Sequence, residues 1–221
     1  MPLARVYPAP LIYKEDWEID ARLVPFEVTR PELVEVARIV AGARADAVEN
    51  DPITAEGQFA YIFGTRSTRA VWRRKGWLLH REENIEAVKH PKIDWKIVYQ
   101  SVDVAASLLH FPRAISGKGA GADRLIDTGQ GSLFTPEQLA AGNASRFKPM
   151  NSGAWFYCVS INGDDDVHAE LSLPIGVGSG NFDGFIERIF IIRDGEWPSL
   201  SVMPLPKGGP TEFEPVVTRK K

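Results

Sequence analysis

Six basic side chains and two tryptophans lie within residues 66–81, RSTRAVWRRKGWLLHR, which contain no acidic residue. Arginine guanidinium groups form paired hydrogen bonds to phosphate oxygens, and indole rings stack on nucleic-acid bases. The whole chain has 26 Lys and Arg against 29 Asp and Glu, so this segment is basic within an acidic protein. The composition therefore predicts a nucleic-acid contact formed by Arg66, Arg69, Trp72, Arg73, Arg74, Lys75 and Trp77.

Two local structures would present these side chains to a ligand. A helix that ends at Gly76 would place Arg66, Arg69 and Arg73 along one face, because residues three, four and seven apart are neighbours on a helix. A hairpin with RRKG at its tip would instead use Gly76 as the turn residue. Both structures direct several cations towards solvent.

A competing interpretation needs no ligand. Glu82, Glu83 and Glu86 follow the basic segment closely and could neutralise it within the molecule. In that case Trp72 and Trp77 would be core residues, as large apolar side chains usually are. The exposure of the arginines and of the two indoles distinguishes the two interpretations.

A second candidate lies in KIDWKIVYQ, residues 92–100. Asp94 and Lys96, flanked by apolar residues, resemble the second half-motif of the PD-(D/E)xK nucleases. The resemblance implies a magnesium-dependent nuclease in which Asp94 holds Mg²⁺ and Lys96 orients or activates the attacking water. The family also places an upstream acidic residue on a neighbouring strand, and the chain offers no such residue in the usual context.

The elements that must position these residues can be read from periodicity and turn chemistry. Residues 30–49 are predicted to form a helix, because Thr29 and Glu32 have the spacing of a capping box and apolar residues recur at helical period. Further predictions are a strand at 57–64, a helix at 81–91, a strand at 92–100, a helix at 101–110, a glycine-rich loop at 115–123 and a helix at 134–142.

Beyond about residue 150 the apolar pattern changes to period two. Strands are predicted at 154–161, 167–175 and 185–194, joined by turn-forming segments. The expected fold is therefore α+β, with a helix-rich N-terminal two-thirds packed with a C-terminal antiparallel β-meander. We expect one domain over 1–205, helix-rich in 1–150 and β-rich in 151–205, followed by a flexible tail at 206–221.

Composition restricts compartment and cofactors. Cys158 is the only cysteine, so neither an intramolecular disulfide nor a cysteine-based zinc site can form. No targeting signal or apolar run of membrane-spanning length is evident, which favours a cytoplasmic protein with no membrane partner. No cofactor or metal is predicted, apart from Mg²⁺ under the nuclease alternative.

Three function classes remain open from the sequence. The first is a non-catalytic nucleic-acid-binding protein or a subunit of a nucleoprotein assembly, with DNA and RNA both possible. The second is the nuclease that uses Asp94 and Lys96. The third is a protein–protein adaptor or structural subunit, which would bind other protein subunits.

Overall fold

The structure is a computed structural model, and it describes residues 9–116, 124–126, 152–163, 166–178 and 180–197. Within these residues the strands form one seven-stranded mixed sheet in the order β1-β7-β6-β5-β4-β3-β2. The strands are β1 (Leu11–Tyr13), β2 (Leu78–Glu82), β3 (Ile85–Lys89), β4 (Asp94–Ser101), β5 (Ser152–Ile161), β6 (Val167–Gly178) and β7 (Asn181–Ile192).

Three α-helices and a short 3₁₀ turn precede β2. The helices are α1 (Asp16–Leu23), α2 (Arg30–Ala45) and α3 (Ala55–Arg73), and the 3₁₀ turn is Val24–Phe26. Helix α2 begins as predicted, since the Thr29 hydroxyl accepts from the Glu32 amide and the Glu32 carboxylate accepts from the Thr29 amide. It ends at Ala45, four residues before the predicted boundary.

The predicted arrangement of the fold is wrong. Strands β1 to β4 come from the N-terminal two-thirds, so that part supplies four of the seven strands of the sheet as well as the helices. Strands β5, β6 and β7 exist and pair antiparallel, but they do not form a separate meander. Strand β5 pairs in parallel with β4, and β7 pairs in parallel with β1, so all seven strands share one mixed sheet.

Three element predictions in the N-terminal part are also wrong. The aromatic run at 57–64 lies inside α3. The predicted helix at 81–91 is the β2–β3 hairpin, because Glu83 and Asn84 both take positive φ angles, which suits a tight two-residue turn. The predicted helix at 101–110 is irregular after β4. The predicted helix at 134–142, the tail at 206–221 and most of the loop at 115–123 lie outside the described residues.

The helices cover one face of the sheet, and aromatic side chains fill the interface. Phe26 stacks on Trp95 with ring centroids 4.6 Å apart and meets the edge of Trp155 at 4.7 Å. Both tryptophans come from central strands, and Phe26 comes from the 3₁₀ turn that leads into α2. Burial of such large rings stabilises the packing of the helices on the sheet.

A cluster of ion pairs and hydrogen bonds joins α1 and α2 to the end of β7. Arg30 donates to Asp16 at 2.9 Å, to Glu196 at 2.7 Å and to the Ile191 carbonyl at 2.8 Å. Arg193 also contacts Asp16 and Glu196. Burial alone would raise the pKa of Glu196, but hydrogen bonds from Arg193 and Arg30 outweigh it and lower the pKa to about 2.

The opposite face of the sheet carries a second apolar cluster. Ala87, Ala154, Phe156 and Cys158 are buried there beneath the segment that follows β4. Cys158 is thus a core residue, as its apolar surroundings in the sequence suggest. In the described part of the chain, no helix combines the length and apolar character that crossing a membrane requires.

Candidate nucleic-acid interface

The basic segment begins in the last two turns of α3 and continues into β2. Gly76, at φ +87°, ends the helical turn, and the Trp77 amide donates to the Trp72 carbonyl at 3.2 Å. Of the two local structures considered for the segment, the helix is therefore the one present at residues 66–76, as the end of the longer helix α3.

Three exposed arginines of this segment lie at the end of α3; a fourth, Arg81 of β2, is also exposed but contacts Glu86. Arg66 and Arg73 are seven residues apart and lie on one side of α3, and Arg74 caps the helix next to them. The guanidinium of Arg66 lies 4.7 Å from the centre of the Phe63 ring. Among the described residues, no ion pair involves any of these three arginines, so their guanidinium groups are available to an external anion.

Two further cations of the segment are occupied within the molecule. Arg69 contacts Glu86 of β3 and donates to the His80 carbonyl at 3.4 Å. Lys75 lies 2.9 Å from the carboxylate of Glu32 at the start of α2. Burial alone would raise the pKa of Glu32, but hydrogen bonds from Lys75 and Thr29 lower it below its usual value. Glu32 therefore stays ionised near neutral pH and keeps Lys75 paired.

Both tryptophans of the segment belong to the core. Trp72 is 0 % exposed and Trp77 is 1 % exposed. The Trp72 indole donates to the Phe26 carbonyl at 3.0 Å, and the Trp77 indole donates to Glu27 at 2.9 Å. The predicted stacking of these indoles on bases is therefore wrong, because no ring face is accessible to a ligand.

The nearby glutamates neutralise only part of the basic segment. Glu86 contacts both Arg69 and Arg81, whereas Glu83 pairs with Arg124 at 2.5 Å. Glu82 lies 3.2 Å from the imidazole of His80. Burial, followed by the charge of Lys96, lowers the pKa of His80, so this histidine is neutral near pH 7 and does not form an ion pair there.

The second candidate pair lies on the other side of the sheet. Asp94 and Lys96 share one face of β4, and Lys96 Nζ lies 3.0 Å from the Asp94 carboxylate. Lys89 of β3 contacts the same oxygen at 3.0 Å. Burial would raise the pKa of Asp94, but hydrogen bonds from Lys96 and Lys89 lower it, so the carboxylate stays ionised.

This arrangement does not fit a magnesium ion. Asp94 is already neutralised by two ammonium groups, which a divalent cation would have to displace. Across the described ranges, no group of three or more His, Cys, Asp or Glu side chains is placed to hold a metal ion. Asp94 and Lys96 do share one face of the strand, as the resemblance implies. The described residues do not, however, supply the further carboxylate ligands that Mg²⁺ requires.

The sequence did not indicate a buried ion pair on the same side of the sheet. Glu170 of β6 and Arg188 of β7 are both 0 % exposed, and two hydrogen bonds of 2.9 and 2.5 Å join them. His168, Glu170 and Ser172 alternate with apolar residues, a pattern typical of a half-buried antiparallel strand. The only sequence signal for this ion pair was the presence of a charged residue in each of the two strands. Such a signal does not show which other part of the chain covers strands β6 and β7.

Comparison with known proteins finds no family model, no curated protein and no solved structure that matches the chain. The arguments on function below therefore rest on the geometry of the described residues.

Proposed function

We propose that the protein binds nucleic acid without catalysis, through phosphate contacts made by Arg66, Arg73 and Arg74. The single observation that carries the proposal is the exposure of these three arginines on one end of α3, with no ion-pair partner among the described residues. Guanidinium groups bind phosphate oxygens well because their planar donors match the anion's geometry.

The charge distribution of the chain supports one local contact surface. The net charge of −3 makes general coating by a polyanion unfavourable, so binding would be confined to this end of α3. Since Arg69 and Lys75 are paired internally, about three phosphates would be neutralised. The logarithm of the binding constant should then fall against the logarithm of salt concentration with a slope of about −2.7 for duplex DNA.

The experiment measures binding of fluorescein-labelled DNA and RNA oligonucleotides by anisotropy between low and moderate salt. We expect Arg73→Glu combined with Arg74→Glu to weaken binding at least tenfold and to reduce the salt slope by about two. The matched control is Lys14→Glu with Lys92→Glu, which makes the same charge change at exposed residues elsewhere. If both double variants bind alike, this surface is not the contact site.

The magnesium-dependent nuclease is the second candidate; Asp94 and Lys96 share a face of β4, but the two ammonium groups on Asp94 count against a metal there. Incubation of DNA and RNA with Mg²⁺ or Mn²⁺ tests it directly. Cleavage that disappears in Lys96→Ala would favour the nuclease, while cleavage that survives this substitution would remove the assignment.

A protein–protein adaptor is the third candidate, supported by Leu78 and Leu79. These leucines are 53 % and 46 % exposed on β2, the last strand in the order of the sheet. Exposed apolar side chains on an edge strand are typical of surfaces that pair with another chain. Failure to bind heparin, together with a stable partner in a pull-down, would favour this class. For all three candidates we propose a cytoplasmic location.

A further inference from the structure

The segment between β4 and residue 116 is irregular, yet it is held at many points. Val102 and Ala114 form an isolated antiparallel bridge that closes its base. Within it, the Asp103 carboxylate accepts from the Val104 amide at 2.7 Å and the Arg113 amide at 2.8 Å. We call residues 103–113 the bridge loop.

The buried ion pair anchors the bridge loop to the sheet. Glu170 accepts from the Ala106 amide at 2.6 Å, and Arg188 donates to the Ser107 carbonyl at 2.8 Å. Ala106 itself takes a φ of +52°, which is unusual for a residue with a side chain. Such a conformation persists only where surrounding contacts determine it, and it is found disproportionately at ligand-binding positions.

The anchored bridge loop borders a cavity of about 590 Å³. This volume is within the range of small-molecule sites. Phe111 of the bridge loop and Phe182 of β7 line it, and Phe111 is 46 % exposed although its ring meets Phe185 at 5.5 Å. The Arg188 guanidinium lies 5.5 Å from the Phe111 ring centre and helps to hold the ring in place.

Basic and acidic side chains both line the same cavity. Arg113 and His110 are exposed at its wall, and no described residue forms an ion pair with Arg113. Both hydrogen bonds that the bridge loop makes to Asp103 go to Oδ1, so Oδ2 can accept from a ligand hydroxyl. The wall thus offers an aromatic face, a guanidinium fork and a carboxylate oxygen.

We propose that this cavity binds a nucleoside monophosphate. The base would stack on Phe111, the phosphate would pair with Arg113, and a ribose hydroxyl would donate to Asp103. The site is separate from the arginines of α3, because α3 packs on the opposite face of the sheet. Its occupancy should therefore not require polymer binding.

Titration calorimetry with AMP tests the proposal, with adenosine and inorganic phosphate as separate ligands. We expect AMP to bind more tightly than either fragment, because only AMP engages both the aromatic wall and the guanidinium. Arg113→Gln should weaken AMP binding about tenfold, the size expected for loss of one charge-assisted contact. Phe111→Leu should weaken it at least fivefold, because it keeps an apolar side chain but removes the stacking ring.

The controls separate this site from the α3 surface. Arg73→Glu with Arg74→Glu should leave AMP affinity unchanged, and Arg113→Gln should leave oligonucleotide affinity unchanged. The proposal is overturned if AMP fails to bind at millimolar concentration or binds no more tightly than inorganic phosphate. It is also overturned if Arg113→Gln, with an unchanged melting temperature, binds AMP as wild type does. AMP binding that is lost only in the α3 variant would place the ligand elsewhere.

Discussion

The stability losses caused by removing Glu170 and by removing Arg188 should not add, because the two side chains form one buried ion pair. Each side chain is 0 % exposed, so neither charge can be hydrated if its partner is lost. Substitution of a single partner of a buried ion pair typically costs about 3–5 kcal/mol, because it leaves an uncompensated charge in the interior. We expect Glu170→Met and Arg188→Met to fall in this range.

The double variant provides the decisive comparison. With both charges gone, the remaining cost comes from hydrogen-bonding groups left without a partner, namely the Ala106 amide, the Ser107 carbonyl and the Ser172 hydroxyl. Each such buried group costs about 1–3 kcal/mol. The double variant should therefore lose less stability than the sum of the two single losses, because no uncompensated charge remains in its interior.

Urea denaturation followed by circular dichroism measures these free energies, and amide hydrogen exchange at Ala106 reports on the bridge loop directly. The matched control is the pair Arg124–Glu83, whose side chains are 61 % and 40 % exposed. A cycle with Arg124→Met and Glu83→Gln should show a coupling of about 1 kcal/mol or less. If the single effects at Glu170 and Arg188 simply add, the pair is not coupled as its geometry requires and the reasoning fails.

Three further predictions concern the scaffold. Gly64→Ala should lower the free energy of unfolding by about 1–3 kcal/mol, because a Cβ there would overlap the Tyr99 ring. Gly42→Ala should raise the free energy of unfolding by up to about 1 kcal/mol in the same urea assay, because a Cβ there would meet no atom within 4 Å. The stabilisation due to Glu196 should be fully present above its unfolded pKa of about 4.5 and be lost as pH falls towards about 2. The difference in melting temperature between wild type and Glu196→Gln should therefore shrink across that interval. Thr29→Ala should cost about 1 kcal/mol by thermal denaturation, since the capping hydroxyl is removed.

Local signals in the sequence predicted the elements whose structure depends on near neighbours. The capping box at Thr29 predicted the start of α2, and the helix that ends at Gly76 was one of two structures left open for the segment that carries the arginines. The strand containing Asp94 and the period-two pattern after residue 150 were also located correctly. In each case the signal, a cap or a regular apolar spacing, lies within a few residues along the chain.

Long-range packing decided the elements that were predicted wrongly. The aromatic run at 57–64 is bounded by glycines, which suggested a strand, but both glycines lie within α3, where Gly64 leaves room for the Tyr99 ring of β4. The assembly of all seven strands into one mixed sheet likewise depends on parallel pairs such as β1 with β7, which join the two ends of the described chain. No local pattern specifies such a partner.

The sequence by itself determined the amount and position of positive charge at residues 66–81, because composition does not depend on folding. Only the tertiary structure decided which of those charges can reach a ligand. Arg66, Arg73 and Arg74 remain exposed, while contacts with other elements occupy Arg69 and Lys75. The physical reason is that an ion pair or a buried ring depends on distances between residues far apart in the chain, which exist only after the helices have packed on the sheet.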